Sequence, residues 1–156
     1  MNILFLNQEG HVAGSTLSLT YLAKGLAAKG HTIFVACRLN SLLSSLLADS
    51  DVNVIHLPMR FAFDVAAIRK IRDIVREHQI DIVNAQAGRD RYNSMYARFF
   101  YNLPAAFVHT RRQMPSSSGG RLKSWLYYYG TDAIIAVSHA VKQGLVEKGL
   151  PADHIH

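Results

Sequence analysis

Short, uniformly apolar runs alternate along the chain with longer stretches of helical period. The runs fall at residues 2–6, 32–37, 52–57, 81–85, 105–109 and 132–137. Each is of strand length and nearly free of interior polar positions. That pattern suits parallel strands covered on both faces better than half-exposed antiparallel ones. Between them, Leu19, Leu22, Ala23 and Leu26 mark one face of a helix from about residue 15 to 29, with Gly30 where a C-terminal cap glycine belongs. Leu42, Leu43, Leu46 and Leu47 mark a shorter helix, and Val65, Ile68, Ile71, Ile74 and Val75 a third. Residues 93–101 and 122–129 read as two more. Val141, Leu145 and Val146 mark the last, with Ser138 as its N-cap and Gly149 as its terminator.

Strand and helix in strict alternation predict an α/β, doubly wound, mainly parallel Rossmann-like sheet with helices on both faces. Ligands of such sheets bind at the carboxyl ends of the strands. The length, 156 residues, fits one domain spanning 1–156. A new apolar run begins at Ile155, just where the chain stops, which predicts a longer parent protein.

Charge sharpens this picture. The formal net charge is +6, and no acid occurs between Asp90 and Asp132. That interval holds Arg91, Arg98, Arg111, Arg112, Arg121 and Lys123, together with ten of the aromatic residues. A one-sign region of this kind concentrates anionic partners: phosphorylated metabolites, lipid headgroups or nucleic acid. The lone Cys37 excludes an intrachain disulfide and fits a reducing, cytoplasmic setting. No signal peptide is visible and no apolar run is long enough to span a membrane. The histidines of "HIH" stand alone, and no metal-ligating motif is present.

Three strand-end loops carry candidate chemistry. In "NQEGHVAGST", Gly10 and Gly14 permit close backbone approach, and Gly14, Ser15 and Thr16 open a helix whose free N–H groups favour an anion. A phosphate or sugar site and a merely capped helix both fit that loop. Its spacing is not a dinucleotide fingerprint, and Arg38 stands where a ribose-binding acid belongs. After the fourth strand, Asn84, Gln86, Arg89 and Asp90 offer polar groups, the amides suited to hydroxyl-rich ligands, or a solvated turn. After the fifth, His109 ends the strand and is expected at the cleft rim, where a lone histidine fits a structural role or a catalytic one; Arg111 and Arg112 follow, and their guanidinium forks match phosphate oxygens. "PSSSGG" then reads as a mobile loop. In "GRLKSWLYYY", Arg121, Lys123 and Trp125 suggest peripheral contact with an anionic membrane or acceptor, unless the aromatics pack inward. Nucleic acid is set aside, because no recognition motif accompanies the basic stretch.

The segments "GSTLSLTYLAKGLAAKGHTIFVAC", "HQIDIVNAQ", "AFVHTRRQ" and "GTDAIIAVSHAVKQGLVEKGLPADHI" together resemble the N-terminal half of the family 4 retaining glycosyltransferases, which have the two-domain GT-B fold. The last segment carries the most specific likeness. The resemblance implies transfer of a sugar from a nucleotide diphosphate sugar to a glycan or lipid-linked acceptor of cell-envelope polysaccharide or lipopolysaccharide type. It implies no tightly bound cofactor and no metal among these residues. Gly14 and Ser15 match the glycine loop that meets donor phosphate and acceptor, although Ala13 replaces the first of two adjacent glycines. His109 matches the strand-end histidine beside the reacting sugar, which makes it the catalytic candidate. Asn84 and Gln86 stand where the family often has two histidines. The nucleotide-sugar half, with its paired glutamates, lies outside these residues, so the 156-residue chain alone is expected to be inactive. A non-catalytic phosphate- or nucleotide-binding module of the same fold is the alternative.

Overall fold

The structure is a computed structural model that describes residues 1–8, 14–114 and 121–156, the side chains of 121–124 excepted. Its elements alternate throughout: β1 (Asn2–Asn7), α1 (Gly14–Ala28), β2 (Thr32–Cys37), α2 (Leu42–Leu47), β3 (Val52–His56), α3 (Val65–Glu77), β4 (Ile82–Ala85), α4 (Gly88–Tyr101), β5 (Ala106–Arg111), α5 (Arg121–Gly130), β6 (Ala133–Ala136) and α6 (His139–Glu147), followed by a 3-10 turn at Ala152–His154. The six strands form one sheet in the order β3-β2-β1-β4-β5-β6, with every pair parallel. The order reverses between β1 and β4, the switch point at which such sheets open a crevice.

Side-chain alternation divides the core. Ile3, Phe5, Ile33, Val35 and Cys37 pack with Leu19 and Ala23 of α1 and with Leu43 and Leu47 of α2. Leu4, Leu6, Phe34, Val83, Ala85 and Phe107 pack on the other face with Ile68, Ile71 and Ile74 of α3 and Ala97 of α4. A smaller cluster joins Ile134 of β6 to Val141 and Leu145 of α6. The uniformly apolar runs follow from this two-sided cover. Edge strand β3 departs from it: Asn53, Val54 and His56 are exposed.

The punctuation works locally as its chemistry requires. Gly30 and Gly149 both adopt positive φ, 86° and 88°, just past α1 and α6. The Ser138 hydroxyl accepts the Val141 N–H and caps α6. Asp64 caps α3 by accepting the Ala67 N–H. Helix α4 begins at Gly88, five residues before the apolar period becomes visible. Its N-cap, Ala87, has no capping side chain, and Asp90 takes over by accepting the Ala87 N–H at 2.9 Å. At the β6 edge the chain returns in register: His156 N–H donates to Ile134 O, and Ala136 N–H to His156 O. The apolar run beginning at Ile155 therefore pairs with the sheet.

Candidate functional site

The carboxyl ends of β1, β4 and β5 meet on one rim, and buried polar side chains lock their positions. Gln8, just past β1, donates its backbone N–H to Asp90 at 3.2 Å, while its side-chain oxygen accepts the Met59 N–H and its amide donates to Leu57 O. Asp90 is fully buried, so one carboxylate ties the end of β1 to the start of α4. Asn93, also fully buried, accepts the Asp64 N–H and donates to Phe61 O, fixing the segment that leads into α3. The sequence reading places Asp90 among the polar groups after the fourth strand but does not foresee its tie to β1, and the roles of Asn93 and Gln8 go unread. An acid three residues after Ala87 is the one signal that was available.

On the α1 face of the sheet lies a polar ladder. Thr110 Oγ1 donates to Asn84 Oδ1 at 3.0 Å, the Gln86 amide donates to the same oxygen at 2.5 Å, and Arg112 donates to Gln86 Oε1. Asn84, Gln86 and Thr110 are buried and Arg112 is half-buried, an environment that pulls its pKa down from the usual arginine value. Asn7 and Thr16 are buried as well. The first residues of α1 sit at this end: Gly14 is exposed, Ser15 half-buried and Thr16 buried. A Cβ added at Gly14 would meet no atom of the described residues within 4 Å. Gly10 and "PSSSGG" lie outside the described residues.

The strand pleat sends the neighbouring residues the other way. His109 and Arg111 share a face with Phe107, toward α4 and α5, while Thr110 and Arg112 face α1. The sequence reading gathers His109, Arg111 and Arg112 into one loop; the structure separates them across the sheet. It also corrects the expectation that His109 sits at the rim. Strand β5 runs two residues further, and His109 is wholly buried beneath Tyr127, whose ring meets it edge-on at 5.8 Å. His109 Nε2 lies 3.3 Å from Ser94 Oγ, and Nδ1 has no hydrogen-bond partner. Burial first, then the positive charges of Arg91 and Arg111, hold the imidazole well below its ordinary pKa, so it is neutral at pH 7. Arg91 donates to the Tyr127 hydroxyl at 3.4 Å and to Gln86 O at 3.3 Å. Arg89 is exposed in the first turn of α4.

Trp125 is 52% exposed and stacks in parallel on Phe99, with centroids 6.3 Å apart. The side chains of Arg121 and Lys123 lie outside the described residues. Among the described residues no group of side chains is arranged to hold a metal, and no helix is long and apolar enough to cross a membrane.

A six-stranded, doubly wound parallel sheet with a polar ladder beside its switch point defines a Rossmann-like ligand-binding half, and the comparisons with known proteins specify which. Residues 12–156 match the model of Glycosyltransferase Family 4, and the chain belongs to that family. The sheet is the N-terminal half of a GT-B fold. The Anabaena protein Alr3699/HepE, crystallised with UDP and glucose, superposes with a TM-score of 0.80 at 20% identity, covering 100% of this chain and 43% of that one. A glycosyltransferase from Rickettsia africae gives 0.80 at 23% identity, covering 99% and 41%. The lipopolysaccharide outer core galactosyltransferase WaaB gives 0.72 at 14% identity, covering 100% and 44%. The chain thus spans less than half the length of these structures. No curated protein matches it. Family membership favours a transferase over a non-catalytic module.

Proposed function

We propose that the chain is the acceptor-side half of a retaining glycosyltransferase. The full-length enzyme moves a sugar from a nucleotide diphosphate sugar to a hydroxyl of a glycan or lipid-linked acceptor of the cell-envelope polysaccharide or lipopolysaccharide type. In that reaction the bond from the anomeric carbon to the β-phosphate oxygen breaks, and its electron pair leaves with the phosphate. The acceptor oxygen bonds to the same carbon and gives up its proton to the departing diphosphate. The family match over residues 12–156 is the observation that carries this reading, and the polar ladder on the α1 face supports a site there.

The chemistry divides among named groups. The backbone N–H groups at the N-terminus of α1, at Gly14, Ser15 and Thr16, face the departing diphosphate and stabilise it. Asn84, Gln86 and Arg112 line the crevice floor and hydrogen-bond sugar hydroxyls, each amide offering both a donor and an acceptor. Arg89, exposed on the rim, meets the acceptor. Contact between His109 and the sugar requires Tyr127 to swing aside; with Tyr127 closed, His109 acts as a positioning residue. Ile135 and Val137 are exposed, at 41% and 53%, on the sheet face opposite α6, an apolar strip that suits a larger parent protein.

The exposed aromatic ridge supports a cytoplasmic protein that rests on the inner face of the membrane. Phe63, Tyr96 and Phe100 form one contact group, and Phe99, Trp125, Tyr129 and Tyr128 form the next. Aromatic rings beside an acid-free basic segment suit an anionic headgroup layer. Binding to anionic vesicles in low salt and release in high salt supports this; no binding at any salt removes the membrane contact.

The test of function is transfer by the full-length protein across nucleotide sugars, with Gln86→Ala and His109→Ala beside the wild type. One nucleotide sugar should be consumed in an acceptor-dependent way, and Gln86→Ala should slow that transfer by about tenfold or more, the worth of one buried polar contact. No transfer with any donor sinks the reading. An unchanged rate in His109→Ala clears His109 alone.

A further inference from the structure

Two arginines on the α4/α5 face take part in no ion pair among the described residues, although Arg91 also donates to Gln86 O at 3.3 Å. Arg91 stands in the first turn of α4, close to the positive end of the helix dipole. Arg111 is half-buried at the end of β5, where burial and then the charge of Arg91 lower its pKa. Both engage one phenolic oxygen: Tyr127 OH accepts from Arg91 Nε at 3.4 Å and also interacts with Arg111. Tyr92 packs edge-on to the same Tyr127 ring at 6.0 Å.

The nearby acids among the described residues are engaged elsewhere. Asp132 pairs with Arg98, and Asp90 is turned to the backbone N–H groups of Gln8 and Ala87. Among the described residues the two ion pairs belong to Arg72 and Arg98, and neither includes Arg91 or Arg111. Directly beneath lies His109, fully buried, with an unpartnered Nδ1. Among the described residues, no acid pairs with these two half-buried guanidiniums, which share a hydroxyl above a neutral imidazole.

We propose that Arg91, Arg111 and the Tyr127 hydroxyl form an anion site that receives a phosphate group carried by the acceptor. It lies across the sheet from the α1 N-terminus and so is separate from the donor's diphosphate. Two guanidinium forks and a phenol supply enough donors for a tetrahedral phosphate. Anion recognition stands without the transferase reading, whereas its assignment to the acceptor rests on that reading.

The experiment uses the full-length protein and inorganic phosphate at constant ionic strength, with saturating nucleoside diphosphate present so that the donor side is filled. Thermal unfolding and the ring resonances of His109 are followed in the wild type, Arg91→Gln, Arg111→Gln and the exposed control Arg69→Gln. Phosphate should raise the melting temperature saturably and shift the His109 signals in the wild type and the control, and do neither in the other two variants. Without phosphate, those two variants should melt at or above the wild type, because a like-charge contact is relieved. A wild type indifferent to phosphate overturns the site. So do variants that keep the response, or variants that melt well below the wild type without phosphate, which would make the pair structural.

The acceptor assignment has its own readout. The ratio of kcat/KM for a phosphorylated over an unphosphorylated acceptor glycan should fall about tenfold in Arg111→Gln, the worth of one charge-assisted hydrogen bond. An unchanged ratio means the site takes free phosphate and overturns the assignment. Phosphate binding without any sugar transfer keeps the site and sinks the transferase reading instead.

Discussion

Replacing His109 with glutamine is expected to flatten the acid side of the protein's stability profile. The ring is wholly buried, with Ser94 Oγ 3.3 Å from Nε2 and nothing within hydrogen-bonding reach of Nδ1. Burial, reinforced by Arg91 and Arg111, keeps its folded pKa well below the ordinary 6.5. In the unfolded chain the same ring titrates near about 6.5. Below that pH the unfolded state takes up a proton that the folded state refuses. The contribution of neutral burial is therefore full above the unfolded pKa and is lost as pH falls toward the depressed folded value. One proton of difference amounts to about 1.4 kcal/mol per pH unit within that window. Glutamine retains a donor for Ser94 and does not titrate. Urea unfolding of both proteins at pH about 7.5, 6.5 and 5.5 isolates the effect, because the other histidines cancel in the difference. The wild type should lose about 1 kcal/mol more than the variant over the last step, because the unfolded ring is already half protonated at its start. A wild-type-minus-variant difference that stays constant across the series would refute burial of a neutral ring.

Three further outcomes follow from the packing. Gly130, the last residue of α5, lies so close to Met95 of α4 that an added Cβ would come within 2.7 Å of Met95 Cγ. Gly130→Ala should cost about 1–3 kcal/mol through overpacking, less about 0.4–1 kcal/mol gained from the stiffer backbone. In a Met95→Ala background the same change should stabilise; additive effects on melting temperature would contradict the contact. Asp132 accepts from Arg98 at 2.8 Å and from the Phe107 N–H at 2.7 Å; burial acts to raise its pKa, but these bonds hold the carboxyl below its usual range. Asp132→Asn should cost about 1–2 kcal/mol near neutral pH, and denaturation midpoints should converge with wild type as pH falls through the carboxylate's folded pKa. Asp90→Ala leaves the buried N–H groups of Gln8 and Ala87 without their acceptor. It should cost about 2–3 kcal/mol and raise hydrogen exchange at both ends of that link; exchange unchanged at Gln8 would contradict it.

Much of the scaffold is legible in the residues because its causes are local. Apolar runs such as that at 32–37 report two-sided burial, and Gly30, Ser138 and Gly149 mark helix ends by their own backbone and hydrogen-bonding preferences. The site is less legible. Ala87 gives no capping signal, so the start of α4 is hidden, and with it the tie made by Asp90 and the placement of Arg91. Arginine is no strand signal, so β5 looks finished at His109. Once the strand is known to continue to Arg111, the two-residue pleat alone puts His109 and Arg111 on one face and Thr110 and Arg112 on the other. Tyr127 covering His109 is a tertiary contact between α5 and β5, and no local pattern encodes it.

The central claim is that ligands gather at the carboxyl ends of β4 and β5, beside the switch point. Hydrogen exchange of the full-length protein, with and without its nucleotide sugar and acceptor, tests this most directly. Slower exchange is expected in peptides covering 84–91 and 109–112, with none at the opposite strand ends, 77–81 and 102–105. Protection confined to those opposite ends, or absent from both, would contradict it.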